Sequence, residues 1–187
     1  KPSGKDTWTW AHGRWTGRSR ATVPLTDRAA REGLSLFETA RVRQGKALRW
    51  PAHEARLARA LRDWKWPAPR GWSGVAKIIA ECVRRNRPGA EATLRVMVTG
   101  GGEGAGWAPP ASSPSRLYVE LLPSRRPSHE VYRRGVAVIC LPPGSADSTG
   151  FSRWKVGSRA MQAWARHGAR RRGAFECLLR GARGGIV

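Results

Sequence analysis

Lys155 is the residue whose type and setting best suit covalent chemistry, in the segment Arg153-Trp-Lys155-Val-Gly-Ser-Arg159. The chain has 35 basic residues, of which six are lysines and the remaining 29 are arginines. A lysine amine forms an imine with a carbonyl group once its pKa has been lowered, whereas an arginine guanidinium stays protonated. A solvated surface lysine is the competing interpretation, and the position of Lys155 alone favours it.

Arg56 is a candidate for anion binding, in the segment His53-Glu-Ala-Arg56-Leu57. The segment opens a predicted amphipathic helix, because Leu57, Ala60, Leu61 and Trp64 follow at i, i+3, i+4 and i+7. An arginine in the first turns of a helix can present its planar fork to a phosphate. A solvated helix face is the competing interpretation of Arg56, and His53 alone is typical of a surface or capping residue.

The formal net charge of +22 is the most extreme bulk property of the chain. It could indicate nucleic-acid binding. The arginines, however, are spread over nearly every segment, and the densest run is only Arg170-Arg-Arg172. Arg, Ala, Gly and Trp have GC-rich codons and Lys does not, so coding bias also explains the excess of arginine over lysine. We therefore expect a small anionic substrate rather than nucleic acid as the main partner.

Cysteines and histidines give no sign of a metal site or a disulfide framework. The three cysteines are far apart, and the four histidines lack ligand spacing with each other or with cysteine. No apolar run approaches a membrane span, and the first residues lead into no signal-peptide core. The sequence predicts a cytoplasmic protein without metal and without membrane insertion.

Apolar periodicity predicts mixed α and β structure in two lobes. In the first lobe we expect strands over 34–42, 47–50, 92–99 and 116–122, with helices from Pro51 and over 73–86. After a linker we expect a buried strand over 135–141, a helix from Val156 capped by Gly168, and a strand over 175–179. The predicted domains are 1–122, a linker over 123–128, and a second lobe over 129–187.

Several short motifs occur together in a fixed order along the chain. They are Asp27-Arg-Ala, Phe37-Glu-Thr-Ala-Arg-Val42, Gly45-Lys46, His53-x-x-Arg56-Leu57, Leu94-Arg-Val-Met-Val-Thr99, Gly101 to Trp107, Lys155, Gly173-Ala-Phe-Glu176 and Gly184-Gly-Ile186-Val187. This ordered set resembles the class IV (fold type IV) pyridoxal-phosphate enzymes, which include branched-chain and D-amino acid aminotransferases and aminodeoxychorismate lyases. The resemblance runs from about Val23 to the last residue.

The resemblance implies an α+β, two-lobed fold like that of D-amino acid aminotransferase, with pyridoxal 5'-phosphate (PLP) as cofactor. Lys155 would be the Schiff-base lysine, and Arg56 would bind the cofactor phosphate. Arg159 would also belong to the cofactor site, and its charge would help to lower the pKa of Lys155. Thr39 would lie near the substrate and assist protonation. The family also implies a homodimer with sites near the interface.

Among family members, the chain looks most similar to aminodeoxychorismate lyase, which forms 4-aminobenzoate and pyruvate from 4-amino-4-deoxychorismate in folate biosynthesis. Ala160 stands where branched-chain aminotransferases typically carry a tyrosine. Trp107 and Gly100 depart from the lyase pattern, which has a tyrosine and an arginine at these places. A class IV aminotransferase acting on D-amino or branched-chain amino acids is the alternative, followed by a non-catalytic relative or a nucleic-acid-binding protein.

Family members continue beyond the residue that corresponds to Val187. By the resemblance, the carboxylate that pairs with the pyridine nitrogen of the cofactor would come directly after Val187. We therefore expect an incomplete C-terminal lobe, and weak PLP binding by the 187 residues alone.

Overall fold

The computed structural model describes residues 6–102, 114–124, 127–142, 144 and 153–186. Its contacts divide the chain into two compact units. The first unit comprises Lys1–Ser124 together with Lys155–Ser158, and the second comprises Arg125–Trp154 with Arg159–Val187. The segment that carries Lys155 thus belongs to the first unit, whereas the sequence-based boundary placed it in the second lobe.

A six-stranded antiparallel sheet forms the centre of the first unit, in the order β2-β1-β6-β5-β3-β4. Its strands are β1 (Trp8–Ala11), β2 (Arg14–Gly17), β3 (Ser35–Arg43), β4 (Lys46–Ala47), β5 (Glu91–Thr99) and β6 (Arg116–Pro123). The helices of this unit are α1 (Arg28–Arg31), α2 (Trp50–Asp63) and α3 (Val75–Asn86). Helix α2 packs on β3, and α3 packs on β6 and β1.

The core of the first unit lies between the helices and one face of the sheet. Alternate residues of β5, namely Leu94, Val96 and Val98, are fully buried there. Successive side chains of a strand point to opposite faces, so alternate apolar positions give the sheet one continuous apolar face. The amphipathic stripe of α2, including Leu57 and Leu61, covers part of this face.

The structure corrects two expectations for the first unit. The predicted returning strand 47–50 is wrong, because Arg49 adopts a left-handed conformation with φ of 55° and Trp50 already begins α2. Only Lys46–Ala47 pair with β3. The β1–β2 hairpin was not predicted; it extends the sheet by pairing β1 with β6.

The second unit contains α4 (His129–Arg134), β7 (Val138–Cys140), α5 (Ala160–Arg171) and β8 (Glu176–Leu178). Strands β7 and β8 form a two-stranded parallel sheet, and α5 packs on β8. The prediction of a buried strand over 135–141 is wrong in length and burial, since Val138 is 46% exposed. The predicted helix bounds are also wrong: Gly168 lies inside α5, and Val156 instead forms a bridge with β3.

Among the described residues, no helix combines the length and apolar character that crossing a bilayer requires. Within the same part of the chain, no group of three or more His, Cys, Asp or Glu side chains is arranged to hold a metal ion.

Candidate active site

Backbone hydrogen bonds hold the Lys155 segment against the outer edge of β3. The Lys155 carbonyl accepts a hydrogen bond of 2.9 Å from the Phe37 N–H, and the Gly157 N–H donates one of 2.7 Å to the Ser35 carbonyl. Leu36 and Val156 form an antiparallel bridge between these two bonds. A Cβ at Gly157 would lie 1.9 Å from Ser35 Oγ, so any larger residue at 157 would have to displace the Ser35 side chain.

Two cationic side chains lie next to the ring of Phe37. Lys155 Nζ lies 4.9 Å from the ring centroid, and the guanidinium carbon of Arg95 on β5 lies 4.8 Å from it. Phe37 itself is buried. A cation near an aromatic ring is attracted by the ring quadrupole, so Phe37 holds Lys155 and Arg95 close to the same face of the sheet.

Thr39 lies on this same face, two residues beyond Phe37 along β3. Its cross-strand neighbour on β5 is Arg95. Since Phe37 stands opposite Lys155, Thr39 is a diagonal neighbour of Lys155, and such pairs are roughly 7–8 Å apart. On the outer edge of β3, the Lys155 segment pairs with residues 35–37 and β4 pairs with residues 42–43, so Thr39 lies between the two paired stretches.

Arg56 forms a bidentate ion pair with Glu38 of β3. Its Nε donates to Glu38 Oε1 at 2.5 Å, and its Nη2 donates to Oε2 at 2.6 Å. The Glu38 side chain is 1% exposed, whereas that of Arg56 is 54% exposed. A guanidinium has five N–H donors, and the pair with Glu38 leaves the Nη1 group for another acceptor.

His53 completes the hydrogen bonding of Glu38. Its Nδ1 lies 2.9 Å from Glu38 Oε2, and its ring stacks on Trp50 at an interplanar angle of 16°. Burial favours the neutral form of Glu38, but the hydrogen bonds from Arg56 and His53 outweigh burial and hold its pKa below the usual range. Glu38 is therefore a buried carboxylate that stays ionised because two donors surround it.

Lys155 and Arg56 approach neighbouring residues of β3 from opposite faces of the sheet. Glu38 projects toward α2 and pairs with Arg56, whereas Phe37 projects to the other face and contacts Lys155. A ligand that engages both cations therefore has to lie across the outer edge of β3. Thr39 occupies the part of that edge that has no strand partner among the described residues.

Arg159 belongs to the second unit, at the start of α5. Its carbonyl accepts a hydrogen bond of 2.9 Å from the Ala163 N–H. Its side chain lines a groove of about 660 Å³ between α5 and β8, together with Arg166 and Glu176. Of the four predicted site residues, Lys155, Thr39 and Arg56 are thus associated with β3, and Arg159 is part of another unit.

Sequence reasoning missed Glu38 and Arg95. Both are charged residues in the middle of apolar strands, and such residues require a partner or a ligand when they are buried. The sequence did not identify the partners of Glu38, because His53 and Arg56 contact it only through the packing of α2 on β3.

Of the two departures from the lyase pattern, Gly100 has a structural explanation. A Cβ at Gly100 would lie 3.0 Å from the ring of Trp66, so that ring limits the space for a larger residue. Trp107 lies outside the described residues.

Residues 35–187 match the sequence profile of the family described as amino-transferase class IV. No curated protein matches the chain. Among solved structures, branched-chain amino acid aminotransferase from Escherichia coli is 21% identical, with a TM-score of 0.86 over 97% of this chain and 62% of that chain. The enzyme from the archaeon Thermoproteus uzoniensis, solved with norvaline, is 19% identical, with a TM-score of 0.83 over 97% of this chain and 62% of that one.

A hypothetical aminotransferase from Mycobacterium tuberculosis in its PLP-bound form is 24% identical, with a TM-score of 0.74 over 96% of this chain and 64% of that chain. The chain thus spans less than two thirds of the length of these structures. At such identities the similarity establishes the fold, and it confirms the predicted α+β architecture of fold type IV.

Proposed function

This chain belongs to the class IV aminotransferase family, and we propose that it is a PLP-dependent enzyme whose Lys155 amine binds the cofactor covalently. One observation carries the proposal: the Lys155 segment is fixed to the edge of β3, with Nζ 4.9 Å from the Phe37 ring centroid. Similar folds solved in PLP-bound form or with pyridoxamine 5'-phosphate support the choice of cofactor.

The described residues fit the two ends of this cofactor. Lys155 supplies the only kind of side chain that forms an imine with an aldehyde. Arg56 supplies a guanidinium that is fixed by Glu38 on one side and, among the described residues, has free Nη1 donors on the other. Arginine forks of this kind suit phosphate geometry. Because the two cations lie on opposite faces of the sheet, the cofactor would lie across the β3 edge near Thr39.

Bound PLP supplies an electron sink for negative charge at the α carbon of an amino substrate. The residues of this chain would do the remaining work. Lys155 would move a proton to or from that carbon, and the Thr39 hydroxyl would donate a hydrogen bond or a proton on the same face. Arg95 would bind a substrate carboxylate, since its buried Nε has no hydrogen-bond partner among the described residues. Phe37 would exclude water from this face.

The reaction we propose is the lyase reaction, from 4-amino-4-deoxychorismate to 4-aminobenzoate and pyruvate. Thr39 beside Lys155, and Ala160 in place of a tyrosine, support it through the resemblance to aminodeoxychorismate lyase. The second candidate is an aminotransferase reaction, favoured by the similarity in fold to branched-chain aminotransferases. Pyruvate release without any added 2-oxo acid would support the lyase, and a strict requirement for a 2-oxo acid would support the aminotransferase.

We propose Arg159 as a further cofactor-binding residue and a homodimer as the working assembly, both from the family resemblance. A reducing, cytoplasmic setting agrees with the free thiols of the three cysteines.

Reductive trapping tests the central claim. The chain is incubated with PLP, reduced with borohydride, and digested for peptide mass spectrometry. We expect the label at Lys155 in preference to the five other lysines, and we expect Lys155→Ala to lose it while Lys46→Ala keeps it. Equal labelling of all lysines, or unchanged labelling in Lys155→Ala, would contradict the proposal.

A further inference from the structure

We propose that Glu38 and His53 are positioning residues that fix the Arg56 guanidinium as a preformed site for a phosphate monoester. The identity of the phosphate as that of PLP rests on the proposed function, whereas the arrangement of the three side chains does not. The cluster consists of Glu38, His53, Arg56 and the supporting ring of Trp50.

Glu38 is the centre of this cluster because it is both buried and ionised. Its side chain is 1% exposed and accepts two hydrogen bonds from Arg56 and one from His53. A buried carboxylate is costly unless donors surround it. Its partners are therefore bound to it whenever the first unit is folded, with or without a ligand.

His53 fixes the plane of the Glu38 carboxylate. A carboxylate only accepts hydrogen bonds, so His53 must carry a proton on Nδ1 to donate to Oε2. The ring of His53 also lies nearly parallel to the ring of the buried Trp50, with the two ring centroids 6.4 Å apart. Three successive contacts, from Trp50 to His53, from His53 to Glu38 and from Glu38 to Arg56, thus connect Arg56 to the buried core.

The consequence for Arg56 is that its fork no longer rotates freely. Arg56 is 54% exposed, and an arginine with that exposure would otherwise sample many rotamers in water. Ordering such a side chain on binding weakens affinity by a factor of up to about ten, so a guanidinium ordered in advance binds correspondingly tighter. The unused Nη1 group then points in one direction defined by Glu38.

Glu38 also acts against phosphate binding, because its negative charge partly neutralises Arg56. The two effects differ in their response to salt. Repulsion between Glu38 and a phosphate across the exposed Arg56 is screened at high ionic strength, whereas the orientation of the fork is not. Binding measured at low and high salt therefore separates positioning from charge.

The test compares PLP with pyridoxal, which lacks the phosphate. Their dissociation constants are measured by titration for the wild type and for Glu38→Gln, Arg56→Ala and the double variant. At high salt we expect Glu38→Gln to weaken PLP binding by about tenfold and to leave pyridoxal binding unchanged. The double variant should bind PLP no more weakly than Arg56→Ala alone. Unchanged or tighter PLP binding in Glu38→Gln at high salt, or additive losses, would overturn the proposal.

A second measurement needs no cofactor, and its main comparison is made in the wild type. Hydrogen exchange of the Arg56 Nε–H is followed by NMR, with Arg62, an exposed arginine of the same helix, as the matched control. We expect at least about tenfold slower exchange at Arg56, and a loss of this difference in His53→Ala or Glu38→Gln. Equal exchange at Arg56 and Arg62 in the wild type would refute the positioning role. Failure of the proposed function would appear separately, as equal PLP trapping in the wild type and Lys155→Ala.

Discussion

The two units of this protein bury their sheets to very different extents. In the first unit, Leu36, Leu94, Val96, Val98 and Val119 are completely buried between a six-stranded sheet and its helices. In the second, the buried apolar residues described are only alanines, at positions 165, 169 and 174. Eight of the ten exposed large hydrophobic residues described also belong to the second unit.

This difference shows where the chain can hold a reactive side chain in place. A two-stranded sheet is marginal in water, and parallel strands are normally covered on both faces. Within the described residues, the β7–β8 sheet has no further strands, and both strands keep exposed positions although α5 packs on β8. Lys155 lies between the two parts of the second unit in sequence, yet its backbone is bonded to β3 of the first. The lysine is thus anchored to the better-packed unit.

The largest expected difference between the units is in hydrogen exchange. We expect the central amides of β5 to exchange on the order of a thousandfold more slowly than those of β7, because β5 opens only when the first unit unfolds. Exchange of the native protein followed by NMR or mass spectrometry measures this. Comparable protection in β5 and β7 would mean that the second unit is as stable as the first.

A matched pair of leucine truncations tests the same difference energetically. Leu94 is fully buried, and Leu178 is 36% exposed. We expect Leu94→Ala to lower the free energy of unfolding by about 2–5 kcal/mol through loss of packing and creation of a cavity. Leu178→Ala should cost less than about 1 kcal/mol. Urea unfolding gives both values, and similar costs would argue against an incompletely buried second unit.

Gly157 provides a way to detach Lys155 from the first unit. In Gly157→Ala the new Cβ would overlap Ser35 Oγ, so we expect a loss of about 1–3 kcal/mol and weaker PLP trapping at Lys155. Gly168→Ala in α5 is the control, because no atom lies within 4 Å of a Cβ there. That change should be neutral or stabilising by up to about 1 kcal/mol. Normal trapping in Gly157→Ala would show that pairing with β3 does not position Lys155.

The acid response of the first unit should depend on Glu38. Its pKa in the folded protein is lowered from 4.5, so its stabilising effect is fully present above about pH 4.5 and is lost as the pH falls through the lowered value. We expect Glu38→Gln to cost about 1–2 kcal/mol at neutral pH and to flatten the decline of stability in acid.

Glu81 is the matched surface control for Glu38. It lies half-buried at the surface of α3, where Arg84 and Arg85 lower its pKa to about 2. Since exposed ion pairs contribute little, we expect Glu81→Gln to leave the unfolding midpoint at neutral pH unchanged within error. Identical acid unfolding curves for Glu38→Gln and the wild type would show that Glu38 does not control the acid response.

The sequence predicted the main strands and helices of the first unit closely. Strands β3, β5 and β6 begin and end within one residue of their predicted bounds, because apolar alternation continues through each of them. The start of the helix containing Arg56 was predicted within one residue, from Pro51 and the apolar stripe that follows. The second unit was predicted less well, since its short exposed strands have weak periodicity and Gly168 continues a helix that it was expected to end.

The sequence named candidate site residues but not their arrangement. The motif order singled out Lys155, Thr39 and Arg56, and the structure associates all three with β3. The buried carboxylate that holds Arg56 was not predicted, because the contact joins residues 18 positions apart through packing of a helix on a sheet. The roles of these residues and of Arg159 in catalysis and cofactor binding stay predictions.

By itself the sequence determined which residues can do chemistry and which elements carry them, since side-chain type and apolar period are local properties. Only the tertiary structure decided that the Lys155 segment pairs with β3, and that Lys155 and Arg56 approach this strand from opposite faces. Strand pairing joins residues more than a hundred positions apart in the chain. The register of the pairing between the Lys155 segment and β3 depends on which backbone groups of β3 remain unpaired once the sheet has formed. The local sequence pattern does not determine those groups.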